Sequence, residues 1–504
     1  MTSSTVCILA TIFVYLVGML VIGFHYAKKN ESSTDFYLGG RKLGPLVTAM
    51  SAEASDMSSY LLMGLPGLAY LSGVADVGWT AIGLAVGTYL NWLLTAGRLR
   101  RYTHKTDSFT LPQFFSHRFR DKKNILSCMA ALIIIIFFIP YTASGFAACG
   151  KLFSSLFGMN YMTAMLISAI VIVGYTAAGG FFAASTTDFV QSIIMTVAIV
   201  FVLIYATVSA GGVSAVAENA KQLPGYLSFV SSYSEATGES EPYNLLHIIT
   251  TLSWGLGYFG MPHILVRFMS IEKPSMIKKS ATVAIIWVIL SLAATCLIAY
   301  FGRMFLAEEL LTAGAQKMVF IDFARKLFPS FIAGILMAAI IAASMSTADS
   351  QLLVASSSFT SDIYKPIIRK DADEKEILWV GRIIVVIVAV IAFFIASSKG
   401  SGAQAIMNLV ENAWAGFGSS FGPVILLSLF WRRFTYKGAI GGVLGGIIVD
   451  ILWFNFLSGS TGIYELFPGF IAGLICAVVV TLLDKKPAKE VTDLFDRAVS
   501  EEDE

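Results

Sequence analysis

The chain has 504 residues, of which 56% are hydrophobic and only 13% are charged. A soluble domain normally carries about 25% charged residues, so this composition excludes a water-soluble enzyme of the same size and predicts a polytopic membrane protein. With 35 Lys and Arg against 33 Asp and Glu, the formal net charge is +2, and no bulk positive field points to a nucleic acid partner.

Apolar runs of about 20 residues, the length that crosses a bilayer, divide the chain into about thirteen predicted spans. These spans are 6–26, 43–71, 75–97, 125–150, 159–181, 187–210, 244–265, 280–303, 329–358, 378–397, 404–430, 437–457 and 465–483. The expected protein is a single all-α transporter domain, 1–504, in the cell membrane. An extra helix at 6–26 precedes its core, and two C-terminal helices at 437–483 and a cytoplasmic tail at 484–504 follow.

Basic residues are distributed unevenly over the segments between these spans. If the N-terminus lies outside, 28 of the 35 Lys and Arg residues fall on the cytoplasmic side and seven fall outside. By the positive-inside rule, this bias predicts an outside N-terminus and an inside C-terminus. The loops 211–243 and 304–328 are too short to fold alone, and the acidic run 500–504 is interpreted as a solvated end.

The first polar stretch inside a span is Ser51-Ala-Glu-Ala-Ser-Asp-Met-Ser-Ser59, followed by Met63-Gly-Leu-Pro-Gly67. Carboxylates and hydroxyls are costly in hydrocarbon, so this stretch is expected to face an interior. The glycines and the proline weaken a continuous helix. At membrane depth, irregular backbone is tolerated where protein or a polar cavity satisfies it, so we predict a break and a binding site here.

A second interruption, Ser253-Trp-Gly-Leu-Gly-Tyr-Phe-Gly-Met-Pro262, lies five spans further on. Broken helices at corresponding positions of two units are typical of inverted-repeat secondary transporters. The expected repeats are 43–210 and 244–430. Trp254 and Tyr258, four residues apart, share one helical face and either wall a pocket or serve packing.

The third stretch places Ala343, Ser346 and Thr347 on one face of the ninth span, at positions i, i+3 and i+4. Hard cations such as sodium prefer oxygen ligands, and two hydroxyls and a carbonyl here can supply them if this helix meets the first break. The alternative is that the hydroxyls only bond the preceding turn of their own helix.

Three carboxylates at membrane depth, Asp56, Asp188 and Asp349, are the charges that an apolar chain carries at the highest cost. They are therefore candidates for the coupling of ions to transport. Arg41, at the cytoplasmic start of the second span, is an ordinary topogenic charge, pairs with an inside carboxylate, or closes a gate.

Five cysteines and five histidines are dispersed along the chain. Neither the spacing of a metal site nor a pairing of nucleophile and base is visible. The sequence therefore predicts no enzyme, no cofactor and no obligate protein partner. The absence of a kinase or receiver domain favours a transporter over a solute sensor.

Several long motifs occur in one order along the chain. They are Asp35-Phe-Tyr-Leu-Gly-Gly-Arg-Lys-Leu-Gly-Pro45, Ala54-Ser-Asp-Met-Ser58, Leu61-Leu-Met-Gly-Leu-Pro-Gly67, Tyr175-Thr-Ala-Ala-Gly-Gly-Phe181, Trp254-Gly-Leu-Gly-Tyr-Phe-Gly-Met-Pro-His263, Met345-Ser-Thr347, Gln351-Leu-Leu-Val354 and Ala413-Trp-Ala-Gly-Phe-Gly418. Together they resemble the sodium/solute symporter family, most closely its sodium/proline symporters, over essentially the whole length.

This resemblance implies a LeuT-type core of two inverted five-helix repeats that works by alternating access. It also implies residue roles. A sodium ion is expected on the carbonyls of Ala54, Met57 and Ala343 and the hydroxyls of Ser346 and Thr347. Asp56 matches the carboxylate needed for sodium coupling, and a second sodium site, where relatives have one, involves Asp188, Asp349 and Ser350.

The resemblance further implies sodium-driven uptake of L-proline, with the substrate surrounded by Ser58, Tyr141, Trp254, Tyr258 and Pro262. Two residues depart from the bacterial proline symporter pattern, because Glu53 and Ser59 stand where that pattern has glycine. The alternatives are sodium-coupled uptake of another amino acid, an organic acid or a sugar, and, more remotely, a transporter-derived sensor.

Overall fold

The computed structural model describes residues 3–306, 310–311, 315–399 and 403–500. Within this part of the chain the architecture is helical, and the only sheet is a short antiparallel hairpin of β1 (Ser231–Tyr233) and β2 (Ser240–Pro242). Ten of the described helices are long and apolar enough to cross a membrane. The prediction of an all-α polytopic membrane protein is confirmed.

Two short π-helical segments interrupt the helices of the first half, at Tyr60–Gly64 and Asn91–Ala96. π-helical turns are rare and often lie at functional sites. The helices are α1 (Ser3–Ala27), α2 (Ser33–Leu38), α3 (Pro45–Met57), α4 (Leu65–Ser72), α5 (Val74–Leu90), α6 (Gly97–Lys105), α7 (Leu111–Phe119), α8 (Ile125–Phe157), α9 (Tyr161–Ser209) and α10 (Val213–Lys221).

The second half contains a 3₁₀ segment, Ser253–Phe259, and a π-helical segment, Thr360–Ile368. Two shorter 3₁₀ turns, Pro274–Met276 and Ala315–Met318, complete it. The helices are α11 (Leu245–Leu252), α12 (Pro262–Ser270), α13 (Ile277–Leu306), α14 (Val319–Leu327), α15 (Ser330–Phe359), α16 (Glu374–Lys399), α17 (Ala403–Phe430), α18 (Tyr436–Phe456), α19 (Ser458–Thr461), α20 (Leu466–Leu483) and α21 (Lys489–Val499).

Helix α9 contains a sharp kink where the sequence predicts a loop between two spans. Gly180 adopts φ 60° and ψ −152°, a conformation that is essentially restricted to glycine. A Cβ at this position would lie 2.7 Å from the ring and the backbone oxygen of Phe36. The two predicted spans therefore follow one another across a bend, and no extended connection separates them.

Helix α15 is the most enclosed element of the bundle. Every residue from 336 to 358 is buried, because α1, α3, α8 and α9 surround this helix. The hydroxyls of Ser346 and Thr347 therefore lie in the centre of the protein, where polar groups need internal partners.

The C-terminal segment before the acidic run packs on the bundle. Helix α21 buries Val491, Leu494, Phe495 and Ala498 on α6 and α7, and this spacing is that of one helical face. The Arg432 guanidinium and the Asp496 carboxylate approach to 2.8 Å, and hydrogen bonding to Arg432 lowers the pKa of that carboxyl group. The acidic run from 501 onwards lies outside the described residues.

The loop 211–243 packs on the bundle through its aromatic residues. Tyr226 is fully buried, and its hydroxyl donates to the carbonyl of Tyr70 at 3.0 Å. The carbonyl of Phe229 accepts from Trp79 Nε1 at 2.8 Å. This loop therefore gains its structure from α4 and α5, whereas the loop 304–328 lies partly outside the described residues.

Candidate functional site

The first predicted break is present between α3 and α4. Helix α3 ends at Met57, and Ser58 has the left-handed φ of 48° with ψ −168°. The π-helical segment Tyr60–Gly64 follows, and Pro66 lies in the first turn of α4. Because Ser58 cannot continue the helix, the last carbonyls of α3 lose their normal helical partners and become available to other groups.

The second predicted break separates α11 from α12. The chain passes through the 3₁₀ segment Ser253–Phe259 and restarts as α12 at Pro262. A Cβ on Gly257 would lie 2.1 Å from Trp414 Nε1, and one on Gly255 would lie 2.2 Å from the carbonyl oxygen of Gly83. These two glycines are therefore needed for the close approach of this segment to α17 and α5.

The oxygens of the predicted sodium site converge where α15 meets the end of α3. The Ser346 hydroxyl lies 2.8 Å from the carbonyl oxygen of Ala54 and 3.3 Å from that of Ala343. The Thr347 hydroxyl donates to the Ala343 carbonyl at 3.2 Å. Met57 is buried at the last position of α3. The two hydroxyls thus bond within their own helix, and that of Ser346 also reaches across to α3. Four of the five predicted residues are connected by these hydrogen bonds: Ala54, Ala343, Ser346 and Thr347.

Asp56 faces the neighbouring cavity and is held by the second broken segment. Its Oδ2 accepts a hydrogen bond of 2.5 Å from the Tyr258 hydroxyl, and the carboxylate lines the cavity. A coupling role for Asp56 would therefore operate beside the oxygen set of Ala54, Ala343, Ser346 and Thr347.

A small cavity of about 20 Å³ lies between the two breaks, with room for about one water molecule. Ser58, Tyr141 and Trp254 of the predicted substrate set line it, whereas Tyr258 contacts Asp56 and Pro262 begins α12. The complete lining consists of Asp56, Met57, Ser58, Tyr60, Leu84, Tyr141, Trp254, Val410 and Trp414.

Four lining residues were not predicted: Tyr60, Leu84, Val410 and Trp414. The Trp254 indole stacks on Tyr60 at 5.3 Å between centroids and on Tyr464 at 5.1 Å. Trp414 Nε1 donates to the carbonyl of Trp254 at 2.8 Å. Trp414 belongs to the motif 413–418, so the motif was visible in the sequence, but only the fold brings it to the cavity.

Asp188, Asp349 and Ser350, which the family resemblance assigns to a second sodium site, lie in one polar cluster. The Ser350 hydroxyl lies 2.9 Å from Asp349 Oδ1. Arg267 joins this cluster, because its Nη2 lies 3.0 Å from Asp188 Oδ2. Because the predicted span 244–265 ends two residues before Arg267, the sequence places this residue among the charges between spans, and this was wrong. The guanidinium is 1% exposed, because α12 begins at Pro262 and carries this residue into the bundle.

Arg41 bonds to backbone carbonyls, and among the described residues it forms no ion pair with a carboxylate, which was one of the alternatives that the sequence left open. Its guanidinium donates to the carbonyls of Met269 at 3.1 Å, Thr103 at 3.0 Å and Ser108 at 2.7 Å. Burial, aided by the neighbouring Arg100, lowers the pKa of the Arg41 guanidinium to about 10, so it stays charged at neutral pH. Arg41 thus joins the start of α3 to the end of α12 and to the segment between α6 and α7.

Glu53 and Ser59, the two departures from the proline symporter pattern, are both buried. Neither lines the cavity. The Glu53 carboxylate accepts from Trp92 Nε1 at 3.0 Å and so lies against the π-helical segment Asn91–Ala96. These two departures therefore do not change the residues that line the cavity.

Comparison with known proteins gives full-length matches. The model of the Sodium:solute symporter family matches residues 36–446. The Sodium/proline symporter of Escherichia coli (strain K12) is 43% identical over 97% of this chain and 96% of its own. The High-affinity proline transporter PutP of Bacillus subtilis (strain 168) is 42% identical over 95% of this chain and 98% of its own.

Solved structures of two transporters have a similar fold. The substrate-bound outward-open state of a Na⁺-coupled sialic acid symporter matches with a TM-score of 0.77 at 19% identity, over 96% of this chain and 99% of that one. Mhp1, a nucleobase-cation-symport-1 family transporter in a closed conformation, matches with a TM-score of 0.56 at 12% identity, over 93% and 99%. The fold is thus of the predicted LeuT type, and the chain belongs to the sodium:solute symporter family.

Proposed function

We propose that the protein is a secondary active symporter that couples inward sodium movement to uptake of L-proline across the cell membrane. The observation that carries this proposal is the position of the two helix breaks, which meet at one small cavity beside a convergent set of oxygens. Full-length relatives at 42% to 43% identity that carry proline transport in their names support this substrate.

The proposed sodium site consists of the carbonyls of Ala54, Met57 and Ala343 and the hydroxyls of Ser346 and Thr347. The short distances from Ser346 to both carbonyl groups support it. A sodium ion would replace these internal hydrogen bonds with ion contacts, because hydroxyl and carbonyl oxygens are ligands for hard cations. Asp56 would favour the ion by its charge.

The proposed substrate site is the cavity of Ser58, Tyr141 and Trp254, extended by Tyr258 and Pro262. The N-terminus of α12 at Pro262 would attract the carboxylate of proline through its dipole and free N–H groups. The aromatic walls suit the apolar ring and can attract the cationic amine. In this arrangement Arg41 would close the cytoplasmic side during the outward-facing stage.

The proposed membrane topology has thirteen spans, with the N-terminus outside and the C-terminus inside. Thirteen spans result if α9 crosses the membrane twice, with its bend at Gly180, and if the broken pairs α3–α4 and α11–α12 each cross once. The other long apolar helices then each cross once. The inverted repeats would then be 43–210 and 244–430, within one domain that also includes 6–26, 437–483 and the tail.

The direct test is uptake of labelled L-proline by the purified protein in liposomes. We expect accumulation when an inward sodium gradient is imposed and none when a proton gradient replaces it. Equal accumulation with protons alone, or none with sodium, would contradict the proposal. Competition by other amino acids, organic acids and sugars separates proline from the alternative substrates, and sustained turnover excludes a sensor.

Removal of one proposed ligand should weaken sodium activation specifically. We expect Ser346→Ala to raise the half-saturating sodium concentration about tenfold, because the loss of one hydrogen-bonding or ligand oxygen costs about 1 to 2 kcal/mol. The matched control is Ser344→Ala, two residues earlier, whose hydroxyl donates to the carbonyl of Ile340 in its own helix at 3.1 Å. Similar shifts in both variants would exclude Ser346 from the site.

A further inference from the structure

A guanidinium occupies the centre of the buried cluster around Asp188. Arg267 Nη2 lies 3.0 Å from Asp188 Oδ2 and 2.5 Å from the Ser350 hydroxyl oxygen. Its Nε donates to the Ser51 hydroxyl at 3.1 Å, and its Nη1 donates to the carbonyl of His263 at 2.7 Å. All three nitrogens of the side chain are thus bonded inside the protein, on residues of four different helices.

The groups around this guanidinium are oxygens of the type that binds a hard cation. Asp188 accepts a second hydrogen bond from the Ser51 hydroxyl at 2.6 Å. Asp349 accepts from Tyr175 at 2.6 Å and from Ser350 at 2.9 Å. The other oxygen of the Asp188 carboxylate, Oδ1, is buried and has no hydrogen-bond partner among the described residues.

The charge of this cluster requires a cation. The Asp188 carboxylate is fully buried in the bundle, and a buried carboxylate without a counter-charge is strongly destabilising. Arg267 supplies one positive charge from the chain itself. Because it is covalently part of α12, this charge cannot leave with the substrate, whereas a bound sodium ion could.

We propose that Arg267 fills a second cation site with a tethered charge, and that removal of this charge opens the site to a second sodium ion. The proposal rests on the sodium-coupled function proposed above. Arg267 then determines how many ions accompany each substrate molecule. With the arginine in place, one sodium ion is carried per cycle, and without it the oxygens of Asp188, Asp349, Ser51 and Ser350 take another.

The test compares ion and substrate fluxes in liposomes for the wild type and Arg267→Gln. Initial fluxes of radioactive sodium and labelled proline should have a ratio of one in the wild type and approach two in the variant. At zero membrane potential, the ratio of proline concentrations inside and outside the liposomes should follow the first power of the sodium concentration ratio in the wild type. In Arg267→Gln it should follow the second power. These exponents report stoichiometry, which a purely structural role of the arginine would not change.

Two controls separate the site from general effects of losing a buried arginine. Arg267→Lys keeps a cation near Asp188 and should keep a flux ratio of one. Arg118→Gln removes another buried arginine, whose Nε donates to the carbonyl of Ser428 at 2.9 Å, and should also keep a ratio of one. An increase in the ratio with either control variant would contradict the assignment.

A ratio of two in the wild type, or a ratio of one in an active Arg267→Gln, overturns the proposal. If Arg267→Gln inserts but does not transport, equilibrium binding of radioactive sodium to the purified variant decides, because one additional bound ion is expected. If the variant does not insert into the membrane, the power of the sodium gradient that proline accumulation follows in the wild type decides, because the proposal requires the first power. Absence of any sodium-dependent uptake by the wild type would instead contradict the proposed function, so the two failures are distinguishable.

Discussion

Asp56→Asn should raise the half-saturating sodium concentration for proline uptake by about 30- to 150-fold. A unit charge about 5 to 8 Å from the ion contributes about 2 to 3 kcal/mol at an effective dielectric constant of about 20, which corresponds to that factor. The amide keeps the size of the side chain and can still accept from Tyr258, so insertion and packing should be little affected. Sodium titration of proline uptake in liposomes measures the effect.

Two variants control for the loss of a buried carboxylate at this position. Asp450→Asn replaces another buried carboxylate, on α18, and should leave sodium activation unchanged. Tyr258→Phe removes the hydrogen-bond donor to Asp56 but keeps the charge, so its effect on sodium should be smaller than that of Asp56→Asn. Unchanged sodium activation in Asp56→Asn would remove this residue from the coupling mechanism.

Trp254→Ala should raise the proline concentration for half-maximal uptake by about 30-fold or more. The indole lines the cavity and stacks between Tyr60 and Tyr464, and the loss of a large apolar contact surface costs about 2 to 3 kcal/mol. Trp254→Phe keeps an aromatic wall and should show a smaller shift. The dependence of initial uptake rate on proline concentration gives the value.

The matched control for this indole is Trp287 on α13. It is as well buried as Trp254, but its Nε1 donates to Thr196 at 2.7 Å, away from the cavity. Trp287→Ala should therefore lower protein stability without changing the half-saturating proline concentration. If Trp254→Ala behaves in the same way, its indole serves packing alone.

The places where helices break could be predicted from the sequence, because their causes are local. A proline and several glycines beside polar residues identify the stretches 51–67 and 253–262, and the helices are interrupted within both, at Ser58 and at Ser253–Phe259. The oxygen set of Ser346 and Thr347 follows from helical periodicity. Its contact with Ala54 requires that α15 meets the end of α3, which the residue pattern left as a condition and which the family resemblance implied.

The environment of Arg267 could not be predicted in the same way. Its position at the edge of a hydrophobic run reads as a loop charge, and only the restart of α12 at Pro262 shows that it belongs to the bundle. The π-helical segment Asn91–Ala96 and the arrival of Trp414 at the cavity are also tertiary effects. In each case the deciding partner is distant in the chain, so no local pattern contains it.

The contact of Arg41 with three backbone carbonyls has a consequence for mutational tolerance. Every residue presents a carbonyl, so replacement of Met269, Thr103 or Ser108 leaves the acceptor for the guanidinium in place. The contact thus depends on the side chain of Arg41 but only on the backbone positions of its three partners. Substitutions at those three acceptors can accumulate without loss of this contact, whereas a single change at Arg41 removes all three hydrogen bonds together.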